Sequence, residues 1–313
     1  MIVFLSYCSH IIHMPAEGER AMSQITMIGC GEVGLAYAKA LLELTPAPQL
    51  QLFDPRPPPA ATAFAGRVGL PIAATPGPWL GDSDLVLICT PGTVLQLALD
   101  SLGPFFATGT VVADMSTAGA EAKKSANTFC ADRGVQYVDI AITGSVALGK
   151  AKTPLLYAGP QSEVLTGVLQ QLGAPVTVLT GAEPGDAIRV KLLRSVIMKG
   201  LEALAVECLP AAEEYGVLDQ VWVSLGDVDR TGFVNLLQAM TRTHAQHAVR
   251  RSHEVAEAAD QLDAVGLPST MTRATLQRFT STTALTAAGS QPADDSTDAA
   301  IEWLRSAQAA ALV

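Results

Sequence analysis

No CxxC pair, basic run or membrane-length apolar stretch occurs in this chain, and each omission removes a class of function. The five cysteines (Cys8, Cys30, Cys89, Cys130 and Cys208) are odd in number and scattered. They signal neither a disulfide framework nor a zinc site, and they suit a reducing cytoplasm. A formal net charge of −10 without clustered Lys and Arg argues against nucleic acid or an anionic membrane as partner, since both need their phosphates neutralised. No run approaches the roughly 18 uninterrupted apolar residues of a membrane span, and internal repeats are not evident. What remains is a 313-residue chain, 49% hydrophobic and 16% charged, long enough for two domains and suited to small metabolites.

The segment from Met1 to Ala21 begins with the apolar Ile2-Val3-Phe4-Leu5 but lacks the pattern of a signal peptide. There is no basic start, His10 and His13 interrupt the apolar run, and no clear small-residue cleavage site follows. Residues 1–21 are expected to be a peripheral extension, with Met14 and Met22 as alternative starts.

What is present begins at Thr26-Met27-Ile28-Gly29-Cys30-Gly31-Glu32-Val33-Gly34, which reads as a strand, a glycine-rich turn and a helix start. Gly29 permits the tight turn, Gly31 leaves no Cβ between backbone and ligand, and Gly34 lets the helix sit close on the strand. A pyrophosphate laid there would meet the N–H groups and positive dipole end of the new helix. Asp54 closes the next apolar run at about the twenty-residue offset of the acid that grips an adenosine ribose. Gly29, Cys30, Gly31, Glu32, Val33, Gly34 and Asp54 are therefore the candidate dinucleotide site, with Thr90-Pro91 after a later strand as further candidates. Asp54 favours NAD, while Arg56 offers NADP a partner for its 2′-phosphate.

Unbroken apolar runs such as Leu85–Ile88 and Val111-Val112-Ala113, alternating with helical patterns, predict a doubly wound sheet covered on both faces. Further strands are expected at 135–140, 155–158 and 176–179, and a weak one near Ile72. From about Pro184 the pattern turns helical: a long helix over 186–211, then helices over 219–223, 234–262, 271–279 and 298–311, with the polar stretch 280–297 as a loop. The expected class is α/β, with a Rossmann domain over residues 22–182 followed by a long helix and an all-α domain over 183–313.

Four motifs in order make the stretch from Ile25 to Gly266 resemble the β-hydroxyacid dehydrogenase superfamily, which includes 3-hydroxyisobutyrate and 6-phosphogluconate dehydrogenases. They are the glycine turn; Asp114-Met115-Ser116-Thr117, similar to a D-x-S-T loop; Asp139 to Ser145, a degenerate D-A-P-V-S-G-G; and Gly185 to Ser195, which carries K-x-x-R-S where the family has K-x-x-N-N. The resemblance implies a catalytic Lys191, substrate contacts from Ser116, Thr117, Thr143, Gly144, Ser145, Arg194 and Ser195, and a homodimer with its substrate cleft between domains. A second family lysine corresponds by position to His253, so His253 is a substrate-binding candidate.

The chemistry accounts for a lysine. When hydride passes between carbon and a nicotinamide ring, the attached oxygen must lose or gain a proton, and a cation able to shed one serves both directions. Lysine can be tuned to do this by burial and neighbouring positive charge, whereas arginine cannot. Set against this is the ordinary fate of a lysine on an amphipathic helix, which is to face water, and Ser116 and Thr117 could simply cap the next helix. His244, His247, Arg250 and Arg251 form a basic stripe with no recognised metal spacing. The expected activity is an NAD(P)-dependent dehydrogenase for a small, 3-hydroxy acid. The alternatives are an imine reductase, which Lys191 disfavours, and a nucleotide-binding protein without chemistry.

Overall fold

The structure is a computed structural model that describes residues 24–310; the expectations for Met1 to Ala21 lie outside that range. The chain divides into two compact units between Arg194 and Ser195.

In the first unit, eight strands form one sheet in the order β3-β2-β1-β4-β5-β6-β7-β8. They are β1 (Gln24–Ile28), β2 (Gln49–Phe53), β3 (Ile72–Ala73), β4 (Leu85–Ile88), β5 (Val111–Asp114), β6 (Gln136–Ile142), β7 (Leu155–Ala158) and β8 (Val176–Val178). Neighbours are parallel except β6 and β7, which run antiparallel. Helices α1 (Glu32–Leu42), α2 (Pro59–Val68), α3 (Leu95–Leu102), α4 (Ala120–Ala131), α5 (Val146–Gly149) and α6 (Glu163–Gln171) connect them.

The two-residue period of a strand distributes its side chains between the faces. Ile25, Met27, Leu85 and Leu87 join one core cluster, while Ile28, Val86, Ile88 and Val112 join the other. All four β4 residues are fully buried, as an apolar run without alternation requires. Each such side chain contributes about 1.5–3 kcal/mol on leaving water.

α7 (Asp186–Glu214) is a single 29-residue helix that contains Pro210. It runs past the expected end at 211, and the burial of Ala211 and Ala212 holds its last turn in place. The second unit continues with α8 (Leu218–Ser224), α9 (Gly226–Thr231), α10 (Phe233–Arg242), α11 (His244–Ala264), α12 (Thr270–Ala287) and α13 (Thr297–Ala310). Among the described residues there is no strand after residue 178.

Two expectations need correction here. The helix expected over 234–262 is broken at Thr243, which leaves the helical region (φ −93°, ψ 7°) while its hydroxyl donates to the Ala239 carbonyl. The loop expected over 280–297 is helical as far as Ala287. The Ser281 and Thr286 hydroxyls donate to the Gln277 and Thr283 carbonyls, and Thr282 is buried against His244. Tertiary packing there overrides weak intrinsic propensity. The Glu207 carboxylate fastens α7 to the start of α12, accepting the Met271 and Thr272 amides at 2.8 Å each and the Thr272 hydroxyl at 2.7 Å.

Candidate active site

The parallel register aligns three strand ends, since Ile28 pairs with Ile88 and Ile88 with Asp114, and it sets Asp139 in the middle of β6 beside Asp114. The loops that follow β1, β4 and β5 therefore leave one edge of the sheet, where open α/β sheets bind their ligands.

Each glycine of the first loop has a separate geometric reason. Gly29 has φ +87°, and a Cβ there would stand 2.9 Å from the Cys89 carbonyl oxygen. A Cβ on Gly34 would stand 1.9 Å from the Gly29 oxygen, so α1 can approach the strand only through glycine. Gly31 caps α1 with no side chain, and its missing Cβ would meet nothing within 4 Å. Gly31 thus leaves space open at the helix N-terminus, where an anion is favoured.

Asp54 holds this turn from the end of β2. Its Oδ2 accepts the Cys30 amide at 2.8 Å and its Oδ1 accepts the Arg56 amide at 2.9 Å. Each oxygen keeps a lone pair for a ribose hydroxyl. The Cys30 side chain points into the core, where burial first and the Asp54 charge second push its thiol up to about 12. Glu32 is exposed on the first turn of α1, Val33 packs on the core, and Arg56 is exposed.

A Cβ on Gly92 would lie 2.3 Å from the Ala118 amide nitrogen, so the Thr90-Pro91-Gly92 turn rests directly on the loop after β5. Pro91 is exposed, and the Thr90 hydroxyl is buried with no hydrogen-bond partner. In the adjoining loop the Ser116 amide donates to Asp114 Oδ1 at 2.8 Å, while its buried hydroxyl accepts the Ala118 amide at 3.3 Å. Thr117 is exposed.

After β6, the Thr143 amide and hydroxyl both donate to the Pro154 carbonyl, at 2.9 and 3.0 Å. Gly144 and Gly149 both back onto the buried Thr153: Cβ atoms there would lie 2.9 Å from its methyl and 2.6 Å from its hydroxyl. Thr153 donates to the Lys150 carbonyl at 2.8 Å, and Lys150 is held at φ +49°. Ser145 is exposed at the start of α5.

Beneath these loops lies a buried ionic network that inspection of motifs did not single out. Lys123 of α4 is fully buried; its Nζ donates to Asp139 Oδ1 at 2.6 Å and to the Asp114 carbonyl at 3.1 Å, and stands 3.2 Å from Asp114 Oδ2. The Tyr137 hydroxyl donates to Asp114 Oδ2 at 2.6 Å. Burial, and after it the Asp114 charge, raise that phenol well above its ordinary value. The other oxygen of Asp139 accepts the Gly185 and Ile188 amides at 3.0 and 3.1 Å, which caps the start of α7. Gly185 has φ +104°, and a Cβ on it would lie 2.8 Å from the Ala120 carbonyl oxygen. One signal was available in the sequence: Lys123 shares a helix face with the buried Ala126 and Cys130.

Lys191 is half-buried one turn beyond that cap. Burial first, then the charge of Lys123, lower its pKa, and Asp139 opposes them in part. Arg194 is exposed at the end of the first unit; Ser195, half-buried, opens the second. His253 is exposed on α11 of the second unit. In the basic stripe, His244 bonds Thr282 at 2.8 Å and stacks on Phe279, Arg250 pairs with Glu254, and Arg251 donates to Thr243.

Comparison with known proteins bears on family and fold. The family described as the NAD binding domain of 6-phosphogluconate dehydrogenase matches residues 24–181, about half the chain. The chain belongs to the β-hydroxyacid dehydrogenase superfamily. A domain of unknown function, DUF1932, matches residues 212–282 within the helical unit of this superfamily member. An uncharacterised 28.5 kDa protein of Methanothermus fervidus is 30% identical over 122 residues, covering 39% of this chain and 47% of that protein, so the match spans about half of the relative's length. A Streptomyces aurantiacus imine reductase aligns at TM-score 0.70 with 18% identity, covering 90% of this chain and 99% of its own. The Mycobacterium tuberculosis 3-hydroxyisobutyrate dehydrogenase aligns at 0.55, also with 18% identity, covering 63% and 67%. At such identities both likenesses concern the β-hydroxyacid dehydrogenase fold alone. No helix among the described residues is long and apolar enough to cross a membrane.

Proposed function

We propose that this protein is an NAD(P)-dependent oxidoreductase that interconverts a small, 3-hydroxy acid with its oxo form, with Lys191 as the proton carrier. The observation that carries the reading is the setting of Lys191: a half-buried amine near the start of a helix capped by Asp139, with the charge of Lys123 acting on it. A dinucleotide fits the loops after β1 and β4 on two counts. Gly31 leaves open the space that a Cβ would occupy, and Thr90 Oγ1 is a buried hydroxyl in want of a partner. Asp54 would take the ribose and tilt the choice towards NAD.

When bound, the nicotinamide supplies the hydride acceptor or donor. Lys191 Nζ, biased towards its neutral form, takes the hydroxyl proton during oxidation and returns it to the carbonyl oxygen during reduction. Thr117, Gly144, Ser145 and Arg194 hold the acid, with Ser116 and Thr143 shaping the loops from which the contacts are made. The exposed apolar residues Leu192, Leu193, Val196, Ile197 and Leu201 of α7 suit burial against a second copy of the chain.

The test is a screen of hydroxy acids, polyol acids and cyclic imines with NAD and NADP, followed by reduced-nicotinamide absorbance, in the parent and Lys191→Ala proteins. Turnover of a hydroxy acid that drops about 10²–10⁴-fold in Lys191→Ala, with dinucleotide binding retained, supports the reading. Turnover of imines alone, or binding with no turnover in the parent, overturns it.

A further inference from the structure

Lys123 has the least expected position of any charged side chain in the first unit. It is a fully buried lysine, and its ammonium touches the carboxylates of both Asp114, at the end of β5, and its β6 neighbour Asp139. A buried cation is costly unless paired and hydrogen-bonded, and a packed apolar residue often serves stability as well or better. Stability alone is therefore a weak reason for a lysine here. Its contacts suggest a second reason. Through Asp114 it reaches the Ser116 loop, and through Asp139 it reaches the Gly185 and Ile188 amides that begin α7. Lys191 follows Ile188 by three residues, which places both on one side of the helix.

We propose that Lys123 is a positioning residue for Lys191: its ammonium, bridging Asp114 and Asp139, fixes the first turn of α7 against the Ser116 loop and sets a permanent positive charge against the Lys191 amine. This deepens the proposed function and rests on it for its catalytic meaning. Two of the groups acting on Lys191 are Lys123 from α4, which disfavours its ammonium, and Asp139 from β6, which favours it. Lys123 both neutralises Asp139 and repels Lys191, so the two effects have the same sign. Removing the Lys123 charge should make Lys191 a stronger base, and removing the Asp139 charge a weaker one.

The experiment reads Lys191 directly and needs no substrate. Lysines are dimethylated with carbon-13 formaldehyde and a borohydride reductant, the Lys191 signal is assigned by its loss in Lys191→Arg, and its titration is followed by NMR. In the parent, Lys191 is expected to titrate below the exposed lysines. It is expected to shift alkaline in Lys123→Met, to shift acid in Asp139→Asn, and to stay in place in Lys123→Arg.

A parent Lys191 that titrates with the exposed lysines overturns the proposal, whether or not any variant folds. So does a folded Lys123→Met protein whose Lys191 is unmoved, or shifts of the same sign in Lys123→Met and Asp139→Asn. A purely structural Lys123 would lower the thermal midpoint and leave these titrations alone. If the activity screen fails while the titrations shift as stated, the proposed function falls and the coupling stands. The reverse pattern removes only the coupling.

Discussion

The Asp54 carboxylate accepts the Cys30 amide at 2.8 Å, so the end of β2 holds the glycine turn in shape before any ligand arrives. Asp54→Ala strands the part-buried Cys30 N–H, at a cost of about 1–3 kcal/mol. Both the thermal midpoint and NADH affinity are expected to fall, the affinity by at least roughly tenfold, equivalent to about 1.4 kcal/mol. Scanning calorimetry and NADH fluorescence titration check the two effects. A variant that loses stability but keeps its affinity would show that the acid serves only the turn.

Gly31 and Gly34 should separate binding from folding. Gly31→Ala adds a methyl group to open space at φ −69°, a conformation alanine accepts, and should unfold like the parent. Its NADH affinity should nonetheless drop about tenfold or more, because the methyl occupies the ligand's side of the backbone. Gly34→Ala drives a Cβ to 1.9 Å from the Gly29 oxygen and should cost at least about 1–3 kcal/mol of stability as well as binding.

A lysine held towards its neutral form carries a stability cost whose sign is fixed by linkage. Burial and Lys123 lower the Lys191 pKa in the folded state below the ordinary 10.5. As pH falls through 10.5 the unfolded chain takes up the proton first, so stability declines until the folded-state value is passed. Lys191→Met, which keeps the apolar stem and removes the charge, should therefore raise the thermal midpoint at neutral pH and flatten its alkaline dependence. It should also abolish turnover. An unchanged midpoint would mean that Lys191 is not constrained in this way.

Glu207 offers the opposite case in the helical unit. Burial alone would raise its carboxyl, but hydrogen bonds from the Thr272 hydroxyl and the Met271 and Thr272 amides outweigh that and hold it below the ordinary 4.5. Its contribution is present above 4.5 and is lost as pH falls through the lowered value. Glu207→Ala should cost about 0.5–2 kcal/mol near neutrality, as helix-capping losses do. The gap between variant and parent should close in acid, which denaturant unfolding at several pH values will show.

The features that were legible in the sequence are those with a backbone reason behind them. Gly29 and Gly34 each answer a steric demand, and the β4 run reads as a strand covered on both faces because it has no polar member. Partnership was harder to read. A lysine on an amphipathic helix points to water in most chains, and only the arrival of Asp114 and Asp139 from separate strands makes Lys123 a buried cation. The helix through Thr282 depends in the same way on His244, 38 residues away, and the reversal of β7 on pairing with β6. Such long-range partners leave no local period behind.

Thr153 touches what would be the first side-chain atom at both Gly144 and Gly149. The three positions thus behave as one combined choice of volume. A bulkier residue at either glycine becomes tolerable only together with a trimmed one at 153, so drift in this loop must proceed by paired changes, and the order in which they occur decides which sequences can be reached.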